Sequence, residues 1–402
     1  MIKMFSAFRH RDFRLFWGGN IISLVGTWMQ SMALSWLIYR LTGSSLLLGV
    51  IGFANAIPLL FVSPFGGVLV DRFSKRKILI LTQTGMMVTA FLLALLTWMG
   101  HIQVWHIFLF TVINGAIAAL DAPCRQSFIV ELVGKEDLMN AIAMNSMAFN
   151  SARIIGPAVA GFLVALIGEA GCFLINGISF VSVLIGLFMI QSPDKTMDNS
   201  QESFMDKMKE GYRYVKESRL LSSLLALVAV PCLMSMSYAT LMPVFAKDIF
   251  HRNADGLGIL MSSVGVGAIF GALIIARLSY SRHKGKTLML GGLVSSVAII
   301  LFGLSRNFYL SCFLLFWVGM ANVLYLTSTN TLIQSNAEDE YRGRAVSFYT
   351  LIFMGMMPIG SLLIGWVAEY LTAPGVTVLF ASITTVYFFY MNWKYPELYR
   401  LP

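Results

Sequence analysis

Charge is scarce in this sequence. Asp, Glu, Lys and Arg make up 12% of its 402 residues, against 57% hydrophobic residues. A soluble domain carries about twice that share of charge, so a single water-facing globule is excluded. Histidine is rare too: there are 5, and none has metal-ligand spacing, His101 and His106 included. The cysteines, Cys124, Cys172, Cys232 and Cys312, fall singly within apolar runs. They form no C-x-x-C pair and no disulfide framework, and are expected as small packing residues. Paired carboxylates, H-E-x-x-H and G-x-S-x-G are all missing, which removes the usual enzyme readings. Gly285-Lys286-Thr287 ends like a phosphate loop, but Tyr280 stands where the first glycine is needed. Gly265-x-Gly267-x-x-x-Gly271 has the wrong spacing for a dinucleotide fingerprint. No nucleotide site, metal or other cofactor is expected.

What the sequence has is length without charge. Uncharged windows recur at 15–39, 41–70, 78–120, 154–168 and 370–393, and a helix needs about 20 such residues to cross a bilayer. Lipid is therefore the expected solvent. The pattern predicts twelve spans, at 15–39, 45–70, 78–99, 103–129, 139–167, 170–190, 220–245, 256–279, 286–305, 308–334, 344–370 and 373–394. Continuous apolar runs argue against a transmembrane barrel, whose strands alternate. Arg9, Arg11 and Arg14 precede the first run like a signal peptide, but the run is too long and no small-residue cleavage site ends it; it is expected to stay as the first span.

Basic residues orient these spans. With the N-terminus inside, the outer turns carry only Arg40, Lys247, Arg252 and Arg306, and every other Lys or Arg except Arg153 falls on the inner side. Short loops rich in Lys and Arg stay in the cytoplasm, so both termini are expected there. The net charge of +9 then follows from topology. A nucleic-acid partner is not expected, because the basic residues are spread over helix ends.

The chain repeats weakly about its middle. GPAVAG at Gly156–Gly161 aligns with GSLLIG at Gly360–Gly365, and KEDLMNA ending at Ala141 aligns with DEYRGRA ending at Ala345. Lys75-Arg76-Lys77 likewise meets Arg282-His283-Lys284. Between the halves lies the longest polar stretch, 191–219, whose Phe204, Met208 and Tyr212 are spaced for an amphipathic surface helix. The expected organisation is an N-terminal bundle over 1–190, a cytoplasmic linker over 191–219 and a C-terminal bundle over 220–402. A six-plus-six duplication of this kind is the architecture of major facilitator transporters.

Gly67-x-x-x-Asp71-Arg72-x-Ser74-Lys75-Arg76-Lys77 resembles the signature loop of that superfamily, with Ser74 in place of a second glycine. The resemblance implies a conformational latch built from Gly67, Asp71, Arg72, Lys75 and Arg76. Asp121, at similar depth on the fourth span, is expected to pair with Arg72 or Arg76. Arg153-Ile154-Ile155-Gly156-Pro157-Ala158-Val159-Ala160-Gly161 is similar to the antiporter motif of the drug-exporting branches. Pro157 removes a helix bond, while Gly156 and Gly161 allow close packing. Together with DAPCRQSF at Asp121–Phe128 and TLIQSNAEDEYRGRAVSF at Thr331–Phe348, these motifs resemble the drug:proton antiporter branch that holds the bacterial enterobactin exporter and macrolide-efflux proteins.

The resemblance implies an all-α membrane protein of twelve transmembrane helices in two pseudo-symmetric six-helix bundles. It also implies a secondary transporter, not an enzyme, in the bacterial inner membrane, exporting a hydrophobic or amphipathic small molecule of drug or siderophore class against protons. An importer of the same fold is the alternative, and a non-transporting receptor a more distant one. A monomer in lipid is expected. Asp121 has two readings, proton carrier and latch partner, as does Arg153, which either attracts an anionic substrate or caps carbonyls. Polar and aromatic span residues supply the candidates for a substrate cavity: Asn20, Trp28, Gln30, Asn55, Asn145, Arg153, Asn322 and Tyr325.

Overall fold

A backbone in hydrocarbon has no water to bond to, so every N–H and C=O must be satisfied along its own segment, and long apolar runs become helices. The computed structural model of the protein describes residues 6–190, 210, 213–278, 283–399 and 401, and only the backbone of 59–60, 62–72 and 278. After a short 3-10 turn at Ser6–Arg9, the helices are α1 (Arg11–Thr42), α2 (Ser45–Arg72), α3 (Lys75–Trp98), α4 (Val104–Val133) and α5 (Leu138–Met189). There follow α6 (Arg219–Ile249), α7 (Ala254–Leu278), α8 (Lys284–Leu304), α9 (Phe308–Asn336), α10 (Arg342–Ala368), α11 (Ala373–Lys394) and the single turn Pro396–Tyr399. The described residues contain no strand.

Among the described residues, 10 helices are long and apolar enough to cross a membrane, two fewer than the spans expected from sequence. Two features account for the difference. α5 joins the fifth and sixth expected spans as two helices that meet at a kink. It is long enough on either side of Gly168 to cross a hydrocarbon core of about 30 Å at 1.5 Å per residue. It turns at Gly168, whose φ of 70° a side chain would resist. The second feature is α2, whose described apolar part, Ser45–Pro58, is shorter than a full span.

Irregularity is concentrated in α6. Its regular part, Arg219–Leu233, passes through a 3-10 stretch, Ser235–Leu241, into a π turn at Phe245–Ile249. Pro231 and Pro243 lie along this path, each removing a backbone donor. Of the expected linker helix, Phe204, Met208 and Tyr212 lie outside the described residues; Glu210 and residues 213–217 are helical.

The chain forms two compact units. The first comprises Met1–Leu41, Ala54–Ser200 and Asn253–Gly258; the second comprises Thr42–Phe53, Gln201–Arg252 and Ile259–Pro402. Each has its own apolar core. Phe13, Phe16, Leu79, Phe128, Met144 and Leu187 belong to the first, and Leu224, Leu288, Tyr325, Leu332, Phe388 and Met391 to the second. The start of α2 packs within the second unit and the start of α7 within the first. Cys124, Cys172 and Cys232 are buried as packing residues.

Candidate functional site

Asp121 anchors a polar chain through the first unit. On α4 a spacing of four sets Asp121 and Arg125 one above the other, and Arg125 donates to Asp121 Oδ2 from Nε at 3.0 Å and from Nη2 at 2.7 Å. From α3, Thr82 Oγ1 and Gln83 Nε2 donate to Oδ1 at 2.7 and 2.8 Å. Arg125 also donates to Asn20 on α1, and Asn20 Nδ2 donates to Asn145 Oδ1 on α5 at 3.3 Å. The guanidinium lies 5.7 Å from the centre of the Phe16 ring. Asp121, Gln83 and Asn20 are all buried. A buried charge is tolerated when its lone pairs and protons are met, and here both carboxylate oxygens are.

This geometry gives Asp121 Arg125 as its partner, and not the Arg76 expected from sequence. Arg76 lies elsewhere, donating to Leu187 O at 2.6 Å and Phe188 O at 3.0 Å. It caps the last carbonyls of α5, where a cation meets the negative end of the helix dipole. The side chains of Arg72, Gly67 and Asp71 lie outside the described residues. Arg125 is the residue that sequence reasoning missed. Because α4 runs to Val133, a turn beyond its expected end, Arg125 sits two turns inside the helix. The signal was the Asp121-x-x-x-Arg125 spacing. Lys75 meanwhile forms a buried ion pair with Glu131 on α4, and Cys124 Sγ donates to Lys75 O at 3.2 Å.

The aligned hexapeptides build matching seams. On α5, a Cβ at Gly156 would lie 2.9 Å from Val25 O of α1, and one at Gly161 would lie 2.9 Å from Ala254 O of α7. Gly258, one turn after Ala254, comes closer still to α5, where its Cβ would meet Pro157 O at 2.6 Å. On α10 the same pattern recurs. Gly360 is pressed against Leu233 and Ser237 of α6, and a Cβ at Gly365 would lie 2.6 Å from Ser45 O of α2. Gly49 faces the backbone of Ser361 and Leu362 in return. Ser45-x-x-x-Gly49 and Ala254-x-x-x-Gly258 are thus the partners of the two hexapeptides, and each is a small-residue stripe that lets backbones touch. These contacts carry the exchanged starts of α2 and α7. Gly267 and Gly271 pack in the same way on α9.

Two carboxylates hold the α1–α2 corner. In the first unit Glu169, just past the Gly168 turn, is buried and receives Arg40 Nε at 2.7 Å and Nη2 at 3.2 Å. In the second unit Glu369 Oε1 accepts from Leu46 N at 2.9 Å and Ser44 Oγ at 2.7 Å, capping the N-terminus of α2. The Leu46 N–H and then the Ser44 hydroxyl hold the Glu369 carboxyl below its ordinary range, against a smaller opposing effect of burial.

A family model described as transmembrane secretion effector matches residues 2–398. This chain belongs to that family. The staphyloferrin A transporter of Staphylococcus aureus is 25% identical to it over 369 residues, 89% of each chain. Macrolide efflux protein A of Streptococcus pyogenes is 22% identical over 87% of this chain and 88% of its own. The enterobactin exporter EntS of Shigella flexneri is 25% identical over 90% and 86%. Among solved structures, a bacterial homologue of the lysosomal transporter Spinster superposes with a TM-score of 0.72 at 14% identity, covering 97% of this chain and 98% of that one. A POT-family transporter superposes at 0.75 and 11% identity, which shows the fold alone. The chain is a multi-pass secondary transporter of the major facilitator type, not an enzyme.

In this secretion-effector transporter the expected cavity residues separate by environment. Gln30 accepts from Asn176 Nδ2 at 2.8 Å, and Asn322 Oδ1 accepts from Ser295 Oγ at 2.7 Å, so both tie helix to helix. Tyr325 is buried, donating to Leu227 O and meeting Phe388 edge to face at 5.7 Å. Asn20 belongs to the Asp121 chain. Trp28 packs against Phe149 at 5.6 Å and beside Gly156. Asn55 is exposed, and Asn145 and Arg153 are half-buried on α5.

Proposed function

We propose that this transporter is an inner-membrane exporter that exchanges a hydrophobic or amphipathic small molecule, of drug or siderophore class, for protons by alternating access. The doubled seam carries the reading: the antiporter-like Pro157–Gly161 stretch and its counterpart at Ser361–Gly365 each meet another helix backbone to backbone without a side chain between. Such contacts part and re-form without repacking large side chains. Relatives named for macrolide efflux and enterobactin export support the outward direction. Both termini face the cytoplasm, residues 1–190 and 220–402 form the two bundles joined by 191–219, and the protein works as a monomer.

Arg153 and Asn145 on α5, with Asn55 on α2 and Trp28 on α1, are the substrate-facing set. Asp121 is the candidate proton carrier, and Arg125 is the cation that proton binding would release from it. Gly67, Asp71 and Arg72 form the latch, with Lys75 and Arg76 fixed inside the first unit through Glu131 and the end of α5.

Everted membrane vesicles test direction and coupling together. Ethidium, erythromycin and a catechol siderophore are offered with and without respiration-driven acidification of the lumen. Uptake of at least one, collapsing when the proton gradient is discharged, is the expected result. Uptake confined to right-side-out vesicles makes the protein an importer, and uptake indifferent to the gradient removes protons from the cycle.

A further inference from the structure

The register that pairs Ala141 with Ala345 and Gly156 with Gly360 also pairs His10 with Tyr214, Asp137 with Tyr341 and Asn140 with Arg344. These positions make a clasp in each unit. In the first, Ala7 N donates to Asn140 Oδ1 at 3.0 Å and His10 Nε2 lies 2.9 Å from Asp137 Oδ2. In the second, Arg344 Nη1 forms an ion pair with Glu210 Oε2 at 3.0 Å, and the Tyr341 hydroxyl donates to Glu210 Oε1 at 3.3 Å. The Tyr214 and Tyr341 rings stack at 4.2 Å, and Glu338 N donates to the Tyr214 hydroxyl at 3.0 Å. Glu340 and then Glu210 push the ionisation of the Tyr341 hydroxyl up, which keeps it a donor.

The two clasps share geometry and no chemistry. An acid–histidine contact in one is a ring stack in the other, and an amide in one is an arginine–glutamate pair in the other. Each joins the segment entering its unit to the first turn of a seam helix, α5 from Leu138 or α10 from Arg342. From Asn140 to Gly161, and from Arg344 to Gly365, the helix runs about 32 Å at 1.5 Å per residue. Clasp and seam therefore sit at opposite ends of the same rod.

We propose that the clasp of Glu210, Tyr214, Tyr341 and Arg344 positions α10, so that the seam at Gly365 closes, and that Arg344 is its positioning residue. Glu210 and residues 213–217 are then the second unit's counterpart of the Ser6–His10 entry segment. The inference rests on the alternating-access reading for its role, but its test needs no substrate.

A single reporter, Ser45→Cys, is placed in full-length protein with Cys124, Cys172, Cys232 and Cys312 replaced by Ser, in lipid nanodiscs. Ser45 is buried under Gly365, so its maleimide labelling reports an open seam. Arg344→Gln combined with Tyr341→Ala is expected to label about threefold faster, the factor that loss of one partly exposed ion pair implies. Amides of 213–217 should exchange faster in the same variant. Exchanging the charges, Glu210→Arg with Arg344→Glu, should restore the parent labelling rate. Unchanged labelling alongside faster exchange at 213–217 would overturn the positioning role, and unchanged exchange would overturn the clasp. Failure of the parent protein to transport in everted vesicles, with labelling and exchange as expected, would count against the exporter reading alone.

Discussion

Asp121 and Arg125 form the kind of buried pair whose halves are costly apart. Removing one leaves an uncompensated charge, typically about 3–5 kcal/mol. Arg125→Met is therefore expected to lower the thermal stability of the purified protein sharply, and Asp121→Asn with Arg125→Met to recover most of the loss. Additive losses in the double variant would show that the two do not act as a pair. Glu369 gives a pH-dependent counterpart. Its folded carboxyl is held below the ordinary range, so its contribution is present above that range and disappears as pH falls through the folded value. The stability gap between the parent and Glu369→Gln, about 1 kcal/mol for a lost cap, should exist at neutral pH and vanish in acid. Arg153→Ala, on the half-buried face of α5, is expected to weaken transport of anionic substrates and to spare cationic ones.

At the scale of helices, α5 and α10 are the informative elements. Each carries a proline, Pro157 within its seam and Pro358 just before it, and each touches two neighbours through glycine. Gly161→Ala and Gly365→Ala place a methyl 2.9 and 2.6 Å from a facing carbonyl oxygen, where backbone must give way. Overpacking of this sort costs about 1–3 kcal/mol, and transport should fall about tenfold in either variant. Gly343→Ala, at the start of α10 with open space around its Cβ, is the control expected to transport normally. The existence and type of these helices were legible because apolar length is a property of consecutive residues. The α5 bend was legible as a break between the fifth and sixth spans, but its path was not, since a glycine signals permission to bend and not the direction taken.

For the molecule as a whole, the proposed topology makes a simple demand. Cysteine at His101, in the turn after α3, should react with an impermeant maleimide added outside intact cells, whereas cysteine at Lys135, in the turn after α4, should react only after the membrane is opened. The reverse pattern would invert the chain and with it the direction assigned to transport. The repeat read from GPAVAG and GSLLIG has a physical counterpart in the paired seams, because a duplicated backbone keeps its close approaches even when side chains diverge. The candidate cavity was less legible. Gln30, Asn322 and Tyr325 are candidates by sequence, and each bonds to a neighbouring helix. A polar side chain in a span must find some partner, and sequence does not say whether the partner is a ligand or the next helix.

The sequence alone determined the solvent, the helical class and the approximate spans, because each depends on how many consecutive residues are apolar or on where the breaks recur. Tertiary structure decided which charges meet. Asp121 took Arg125 and not Arg76, Lys75 took Glu131, Arg40 took Glu169, and the start of α2 went to α10. Those choices depend on the rotation and approach of helices, which are set by the packing of small residues across the fold and are written in no single stretch of the chain.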